Sequence, residues 1–213
     1  QYGGKAVASG TYGCVFRPAL KCNDELRRHT GISKLMTTKH GEKEFDEMNE
    51  FKYVLKNISN YEKYFIFADN ICNPDKLTSE DKEDININCK DSHFYNDIVD
   101  KENFSKFVIL NIPDGGSDLN IYFNSTYINK LVFDNLNHQL KNLFFNAIKP
   151  MNDLKLLHCD IKDNNLMINE NNEIKLIDWG QSVLYDKGFD SIHKSLEWRP
   201  LTFNIPISNI VFS

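Results

Sequence analysis

The chain has 213 residues and a net charge of −5, and hydrophobic and aromatic residues make up 41% and 12% of it. This composition is that of a globular protein and excludes a disordered one, and the length allows one large domain or two smaller lobes. The negative charge argues against general binding to nucleic acid or to a membrane surface by charge attraction. No apolar run approaches the roughly 18 residues of a transmembrane helix, so no membrane span is predicted.

The cysteines are scattered and form no CxxC pair. An odd number of them at irregular spacing is typical of reduced thiols in an intracellular protein. We therefore expect an intracellular, cytoplasmic location. The five residues are Cys14, Cys22, Cys72, Cys89 and Cys159.

The chain begins with a glycine turn between two predicted strands, over residues 5–17. Gly10 and Gly13 have no side chain, so the backbone at the turn can approach phosphate oxygens closely. The next predicted strand is short and apolar and contains Lys34. A lysine suits a strand interior poorly unless its ammonium group has a partner. Lys34 therefore either has a partner for its ammonium group or is a solvated lysine on an edge strand.

An acidic amphipathic helix is predicted over residues 42–58, where apolar residues recur at helical spacing. Two further strands are predicted at residues 64–67 and 107–110. The stretch between them, about residues 69–105, is polar and longer than a normal connection. It is expected to form a surface insertion, either solvated or serving to dock a partner.

The second half of the chain begins with a long predicted helix, near residues 126–156, in which Pro150 is expected to cause a kink or a break. A β-hairpin is predicted after Asn165, with its second strand leading to Asp178. Because a hairpin brings its two ends together, these two side chains should lie side by side and can share a divalent cation.

Two motifs flank that hairpin. His158, Asp160 and Asn165 follow the pattern H-x-D-x-x-x-x-N, and Asp178 begins the tripeptide Asp-Trp-Gly thirteen residues after Asn165. The stretch resembles the catalytic loop H-R-D-x-x-x-x-N and the D-F-G element of protein kinases. The glycine turn is similar to the family's G-x-G-x-x-G-x-V loop, with Ala8 in the first glycine position, and the strand around Lys34 is similar to V-A-I-K.

The resemblance implies an α+β, bilobal protein-kinase-like fold. Residues 1–112 would form an N-lobe with an antiparallel sheet and one major helix, and residues 113–213 a mainly helical C-lobe. The family's Ala-Pro-Glu element and later helices are not recognised, so the C-lobe is expected to be truncated. A Gly-Gly-Ser-Asp-Leu segment at 115–119 and the segment 203–206 look like those of divergent protein kinases of large DNA viruses.

The same resemblance implies roles for individual residues in transferring phosphate from ATP, with Mg²⁺, to Ser or Thr hydroxyls of a protein. Asp160 would orient the hydroxyl and take its proton, and Lys162 would neutralise charge on the moving phosphate. Asn165 and Asp178 would bind Mg²⁺. The nucleotide would contact Gly10, Gly13, Val15, Lys34 and the hinge residues Asn111 and Ile112. Leu110 would be the gatekeeper residue.

One helix glutamate should pair with Lys34. Three candidates lie on adjacent turns, namely Glu44, Glu47 and Glu50. Glu50 is preferred because the residues after it best resemble the family's helix, and Glu47 is the second choice.

Three departures from the family pattern matter for function. Pro113 stands where the family donates a backbone N–H to the base, and proline has none. Cys159 replaces the arginine that binds a phosphorylated activation loop in many kinases, so activity should not require phosphorylation within residues 181–201. Trp179 replaces the family's Phe and should pack beneath the metal site. Pro113 and Trp179, with the altered first glycine and the missing helices, leave open a pseudokinase that binds nucleotide or partners. A kinase of small molecules is a further alternative, since such enzymes share H-x-D-x-x-x-x-N and a later Asp.

Overall fold

The computed structural model describes residues 4–10, 13–23, 25–26, 30–89 and 104–185. These residues form two compact units. The first consists of Gln1–Asn49 and Phe67–Asp114, and the second of Glu50–Ile66 and Gly115–Ser213. The sequence assigned residues 1–112 to the first lobe, whereas Glu50–Ile66 groups with the second unit here.

The first unit is built on a five-stranded antiparallel sheet, and its strands are β1 Lys5–Gly10, β2 Gly13–Arg17, β3 Ile32–Thr37, β4 Asn70–Cys72 and β5 Phe107–Ile112. Their order across the sheet is β1-β2-β3-β5-β4. Strands β3 and β5 pair over six residues each, with Lys34 opposite Leu110.

Helix α1 (Thr38–Leu55) follows β3 directly. The Thr37 hydroxyl lies 2.8 Å from His40 Nδ1, a local side-chain bond at the point where the strand becomes a helix. Gly41 faces Val108 of β5 so closely that any Cβ would clash with the valine side chain. The helix therefore packs near its start against the sheet, which fixes the face that α1 turns toward Lys34.

The strand predicted at residues 64–67 is wrong. A short 3₁₀ turn at Tyr61–Lys63 precedes this stretch, and the outer strand β4 lies further along, at Asn70–Cys72. The backbone of the stretch instead bonds to Leu176. The Ile66 N–H donates to the Leu176 carbonyl at 3.0 Å, and the Leu176 N–H donates to the Tyr64 carbonyl at 2.8 Å. These bonds explain why residues 64–66 group with the second unit, whereas Phe67 falls in the first.

The expected surface insertion is also corrected, because its first part completes the core of the first unit. Leu77, Ile85 and Cys89 are buried in one cluster with residues of the sheet, and Ile85 lies on a short helix α2 (Ile85–Asn88). The Asn88 side chain donates to the carbonyl of Ala6 at 2.7 Å. A few apolar residues in a polar stretch are enough to bind it to the sheet. Residues 90–103 lie outside the described part.

Two disulfides join this segment to residues near the start of the chain. Cys14 is bonded to Cys89, and Cys22 to Cys72, with Cα atoms 5.7 and 5.8 Å apart, a normal separation for a disulfide. The expectation of reduced thiols is therefore wrong for these four residues. The fold brings together cysteines that are far apart in sequence, which their spacing could not show.

The second unit is mainly helical, as predicted. One long helical stretch runs as α4 (Lys130–Leu143), a wider π-helical turn (Phe144–Ile148) and α5 (Lys149–Asp153), after the shorter α3 (Leu119–Ser125). The expected irregularity at Pro150 is the wide turn directly before it, since proline provides no N–H for the regular ladder.

Small sheets complete this unit. The predicted hairpin is confirmed, with Leu166 opposite Leu176. The Asp118 carboxylate caps the N-terminal end of α3 by accepting a hydrogen bond from the Ile121 N–H at 2.9 Å. The strands are β6 Ser117–Asp118, β7 Leu156–Leu157, β8 Leu166–Ile168, β9 Ile174–Leu176 and β10 Val183–Leu184. The order is β6-β8-β9 in one sheet, and β7 pairs with β10 in another.

Candidate active site

The glycine hairpin of the first unit ends on a facing pair, Gly10 and Gly13. Gly13 also lies against Lys34 on the neighbouring strand: a Cβ at Gly13 would come within 3.0 Å of Lys34 Cγ. A side chain at this position would push the lysine stem aside. Val15 lies directly opposite Lys34 in the sheet. The roles of Gly10, Gly13 and Val15 in nucleotide binding stay predictions.

Lys34 forms an ion pair with Glu44. Its Nζ lies 2.6 Å from Oε1 and 2.9 Å from Oε2, and the two side chains are only 19% and 17% exposed. Both oxygens of the carboxylate therefore hold the ammonium group in a largely buried position. Such charge-assisted hydrogen bonds are stronger than neutral ones, so the lysine has a fixed direction.

The choice of Glu50 as the partner of Lys34 is wrong. Six residues along an α-helix correspond to a rotation of about 240°, so Glu50 lies on a different face from Glu44. Glu50 is exposed, and Glu47 lies 3.5 Å from Lys43 one turn away. The start of α1 at Thr38 and its packing against β5 put Glu44 on the face toward Lys34.

The hinge segment at the end of β5 is tightly bonded. Asn111 is 1% exposed, and its carbonyl accepts the Asp69 N–H at 2.7 Å. Its side-chain Nδ2 donates to Asn70 Oδ1 at 2.9 Å and lies 3.1 Å from the sulfur of Cys22. The Asn111 carbonyl is therefore already engaged before any base is bound. The roles of Asn111 and Ile112 toward adenine stay predictions.

In the second unit, Asp160 is the centre of a small network. Lys162 Nζ donates to Asp160 Oδ2 at 2.8 Å, and Asn165 Nδ2 donates to the same oxygen at 2.9 Å. Asn165 Nδ2 also donates to the Asp160 carbonyl at 2.8 Å. The 3₁₀ turn Asp163–Asn165 brings these groups together. Two donors on one carboxylate oxygen fix the orientation of Asp160.

The open end of the hairpin joins Asn165 to the segment that contains Asp178. Ile177 N–H donates to the Asn165 carbonyl at 3.0 Å. Because the Asn165 side-chain nitrogen faces Asp160, its Oδ1 is the end that can face a cation. An amide oxygen and a carboxylate are hard oxygen ligands, and Mg²⁺ is often bound through one or two such groups together with substrate phosphates. The donor set therefore fits Mg²⁺.

Behind Asp178 lies a buried aromatic cluster. Trp179 is 2% exposed, and its ring centroid lies 5.1 Å from that of His158 and 5.4 Å from that of Phe65. The predicted packing of Trp179 as a large anchor is confirmed. The indole Nε1–H also donates to the Ile66 carbonyl at 2.9 Å.

His158 is a buried member of this cluster. It lies 2.9 Å from the Ile177 carbonyl through Nε2, which must donate because a carbonyl only accepts. Burial lowers the pKa of His158 below its usual value near 6.5. Its Nδ1 has no hydrogen-bond partner among the described residues. The imidazole therefore serves as a donor that holds the backbone directly before Asp178.

The comparison with known families decides the identity. A family model described as the protein kinase domain matches residues 4–200, which is most of the chain. The chain belongs to the protein kinase family. As a protein kinase it is an ATP-binding transferase that acts on protein substrates. A search of the curated proteins found no match.

Among the described residues, no helix is both long and apolar enough to cross a membrane.

Some features of this kinase had no clear signal in its sequence. The Lys34–Glu44 pair was one of three pairs that the sequence allowed between Lys34 and a glutamate of the helix. The hydrogen bonds of His158 and Trp179 to backbone carbonyls were not predicted, because nothing in a motif shows where a distant carbonyl will lie.

Proposed function

We propose that this kinase transfers the γ-phosphate of ATP, with Mg²⁺, to Ser or Thr hydroxyls of a protein. The observation that carries the proposal is the network around Asp160, whose carboxylate is held by Lys162 and Asn165. Phosphoryl transfer depends mainly on positioning and charge neutralisation, and a fixed carboxylate beside a lysine supplies both.

Each residue has a specific task in this proposal. Asp160 orients the substrate hydroxyl and accepts its proton, and Lys162 moves from Asp160 toward the transferred phosphate as negative charge develops there. Lys34, held by Glu44, binds the nucleotide phosphates. Asn165 Oδ1 and Asp178 hold Mg²⁺, which when bound neutralises phosphate charge. Lysine two residues after the catalytic aspartate supports Ser and Thr over Tyr as acceptors.

The proposal is tested by single substitutions in purified protein. Asp160→Asn should lower phosphate incorporation by about 10² to 10⁴-fold, the usual contribution of a positioned base. Lys34→Met should abolish phosphate incorporation. Asp163→Asn is the matched control, since Asp163 is an exposed aspartate only three residues away. Circular dichroism should be unchanged in all three, which shows that the fold is intact. Full activity of Asp160→Asn would overturn the assigned role, and phosphoamino-acid determination checks the acceptor.

A second candidate is a pseudokinase that binds nucleotide or a partner without turnover. The hinge favours it, because Pro113 lacks an N–H and the Asn111 carbonyl already accepts a hydrogen bond from Asp69. Nucleotide binding without transfer to any protein or metabolite in a panel would support this candidate. Transfer to metabolites alone would favour a kinase of small molecules.

The place of action belongs to the same proposal. The resemblance to kinases of large DNA viruses suggests action inside an infected cell or in a virion. The two disulfides favour an oxidising location such as a virion over reducing cytoplasm. Labelling of thiols in protein taken directly from its natural source separates the two locations.

A further inference from the structure

The turn that carries Asp178 is held in an unusual backbone conformation. Asp178 has φ of 65° and ψ of 77°, in the left-handed region. For a residue with a side chain this region is uncommon and persists where the surroundings hold it. The contacts around Asp178 therefore decide where its carboxylate points.

The next residue, Trp179, makes the most extensive of these contacts. Its indole ring is enclosed by three rings, with centroid distances of 6.2 Å to Phe51, 5.4 Å to Phe65 and 5.1 Å to His158. A phenylalanine could make similar ring contacts. The hydrogen bond from Nε1–H to the Ile66 carbonyl, at 2.9 Å, needs an indole.

The acceptor of that bond is itself fixed. Ile66 N–H donates to the carbonyl of Leu176, the last residue of β9, at 3.0 Å. The chain then runs from Leu176 through Ile177 and Asp178 to Trp179. The indole bond therefore closes a ring of backbone and hydrogen bonds that contains the Asp178 turn.

We propose that Trp179 is a positioning residue for the cation ligand Asp178, acting through its hydrogen bond to the Ile66 carbonyl. The inference rests on the proposed role of Asp178 in holding Mg²⁺. Without the indole N–H, the turn keeps its aromatic packing but loses the bond that ties it to Ile66. The Asp178 carboxylate then spends less time in the orientation that binds the cation.

The test compares nucleotide affinity with and without Mg²⁺, measured by calorimetry on the full chain. In Trp179→Phe the affinity in EDTA should match that of the unsubstituted protein. The gain in affinity on adding Mg²⁺ should be smaller by about tenfold, as expected for losing one buried hydrogen bond.

Phe65→Leu is the matched control, because it removes a ring contact to Trp179 and leaves the indole bond in place. It should lower the melting temperature at least as much as Trp179→Phe while keeping the full Mg²⁺ gain. Equal loss of the gain in both variants would show that packing alone matters and would overturn the inference. An unchanged gain in Trp179→Phe would also overturn it.

The outcome also separates this inference from the proposed function. If the unsubstituted protein binds ATP no better with Mg²⁺ than with EDTA, the metal role of Asp178 and the proposed function fail together. If the unsubstituted protein shows the gain and Trp179→Phe retains it, only the role of Trp179 fails.

Discussion

The ion pair between Lys34 and Glu44 leads to a prediction that separates Glu44 from Glu50. Glu44→Gln keeps the shape of the side chain but removes its charge, so the two short contacts of 2.6 and 2.9 Å lose their ionic character. Hydrogen bonds to charged groups contribute about 1.5–3 kcal/mol, and a loss of about 2 kcal/mol in the transition state lowers kcat/KM about 30-fold. Because both side chains are more than four-fifths buried, solvent screens this pair little.

The assay is steady-state phosphate transfer with ATP varied, and Glu50→Gln is the matched control. Glu50 is exposed and on another face of α1, so this variant should stay within about twofold of the unsubstituted protein, as is usual for surface changes. If Glu50→Gln loses as much activity as Glu44→Gln, the reasoning from helix geometry is refuted.

A double substitution gives a further check of the same pair. Residues that act through one contact are not additive. Adding Glu44→Gln to Lys34→Met should therefore cause little further loss of nucleotide affinity. A further loss of affinity as large as that caused by Glu44→Gln alone would mean that Glu44 acts independently of Lys34.

Three other predictions concern stability and regulation. Reduction of the two disulfides, which close loops with sequence separations of 75 and 50, should lower the free energy of unfolding by about 4 kcal/mol for each bridge in the chain-entropy picture. Calorimetry with and without reductant measures this loss, and an unchanged melting temperature contradicts it. Because burial lowers the pKa of His158, the unfolded chain binds the proton more readily, so the free energy of unfolding should fall as the pH drops below about 6.5. Denaturant titrations should show a smaller fall for His158→Gln, whereas the exposed His138→Gln should show the full fall. Cys159 occupies the position of a phosphate-binding arginine, so phosphatase treatment should leave activity intact; inactivation reversed by phosphorylation within residues 181–201, most of which lie outside the described part, argues the opposite.

Local features of the second unit were predictable from sequence. The hairpin between Asn165 and Asp178 depends on a short turn, in which Asn169 Oδ1 accepts the N–H groups of Asn171 and Glu173. Such a turn is encoded by neighbouring residues, so the meeting of its two ends follows directly. The spacing of the motifs around it could therefore be converted into geometry.

Long-range pairings could not be predicted in this way. The stretch at residues 64–67 has the composition of a strand, yet its hydrogen-bond partner is Leu176, more than a hundred residues away. Likewise, the polar segment that contains Ile85 and Cys89 enters a core formed by distant strands. β-propensity describes how well a residue fits a pleated surface and does not identify which surface it joins.

The choice between Glu44 and Glu50 failed for a different reason. Both lie on the predicted helix, and the pattern of apolar residues fixes its buried side only broadly. The rotation of α1 is set by where it starts and by the close contact of Gly41 with Val108. That contact depends on the sheet and is invisible in the helix alone.

The buried indole beside Asp178 also gives this kinase a built-in optical reporter. The chain has two tryptophans, and the second, Trp198, lies outside the described residues. Replacing Trp198 by Phe would leave one fluorophore, enclosed by aromatic rings and joined directly to the residue that should meet the cation. Its emission colour and quenching would then follow the state of that turn in solution without any attached dye.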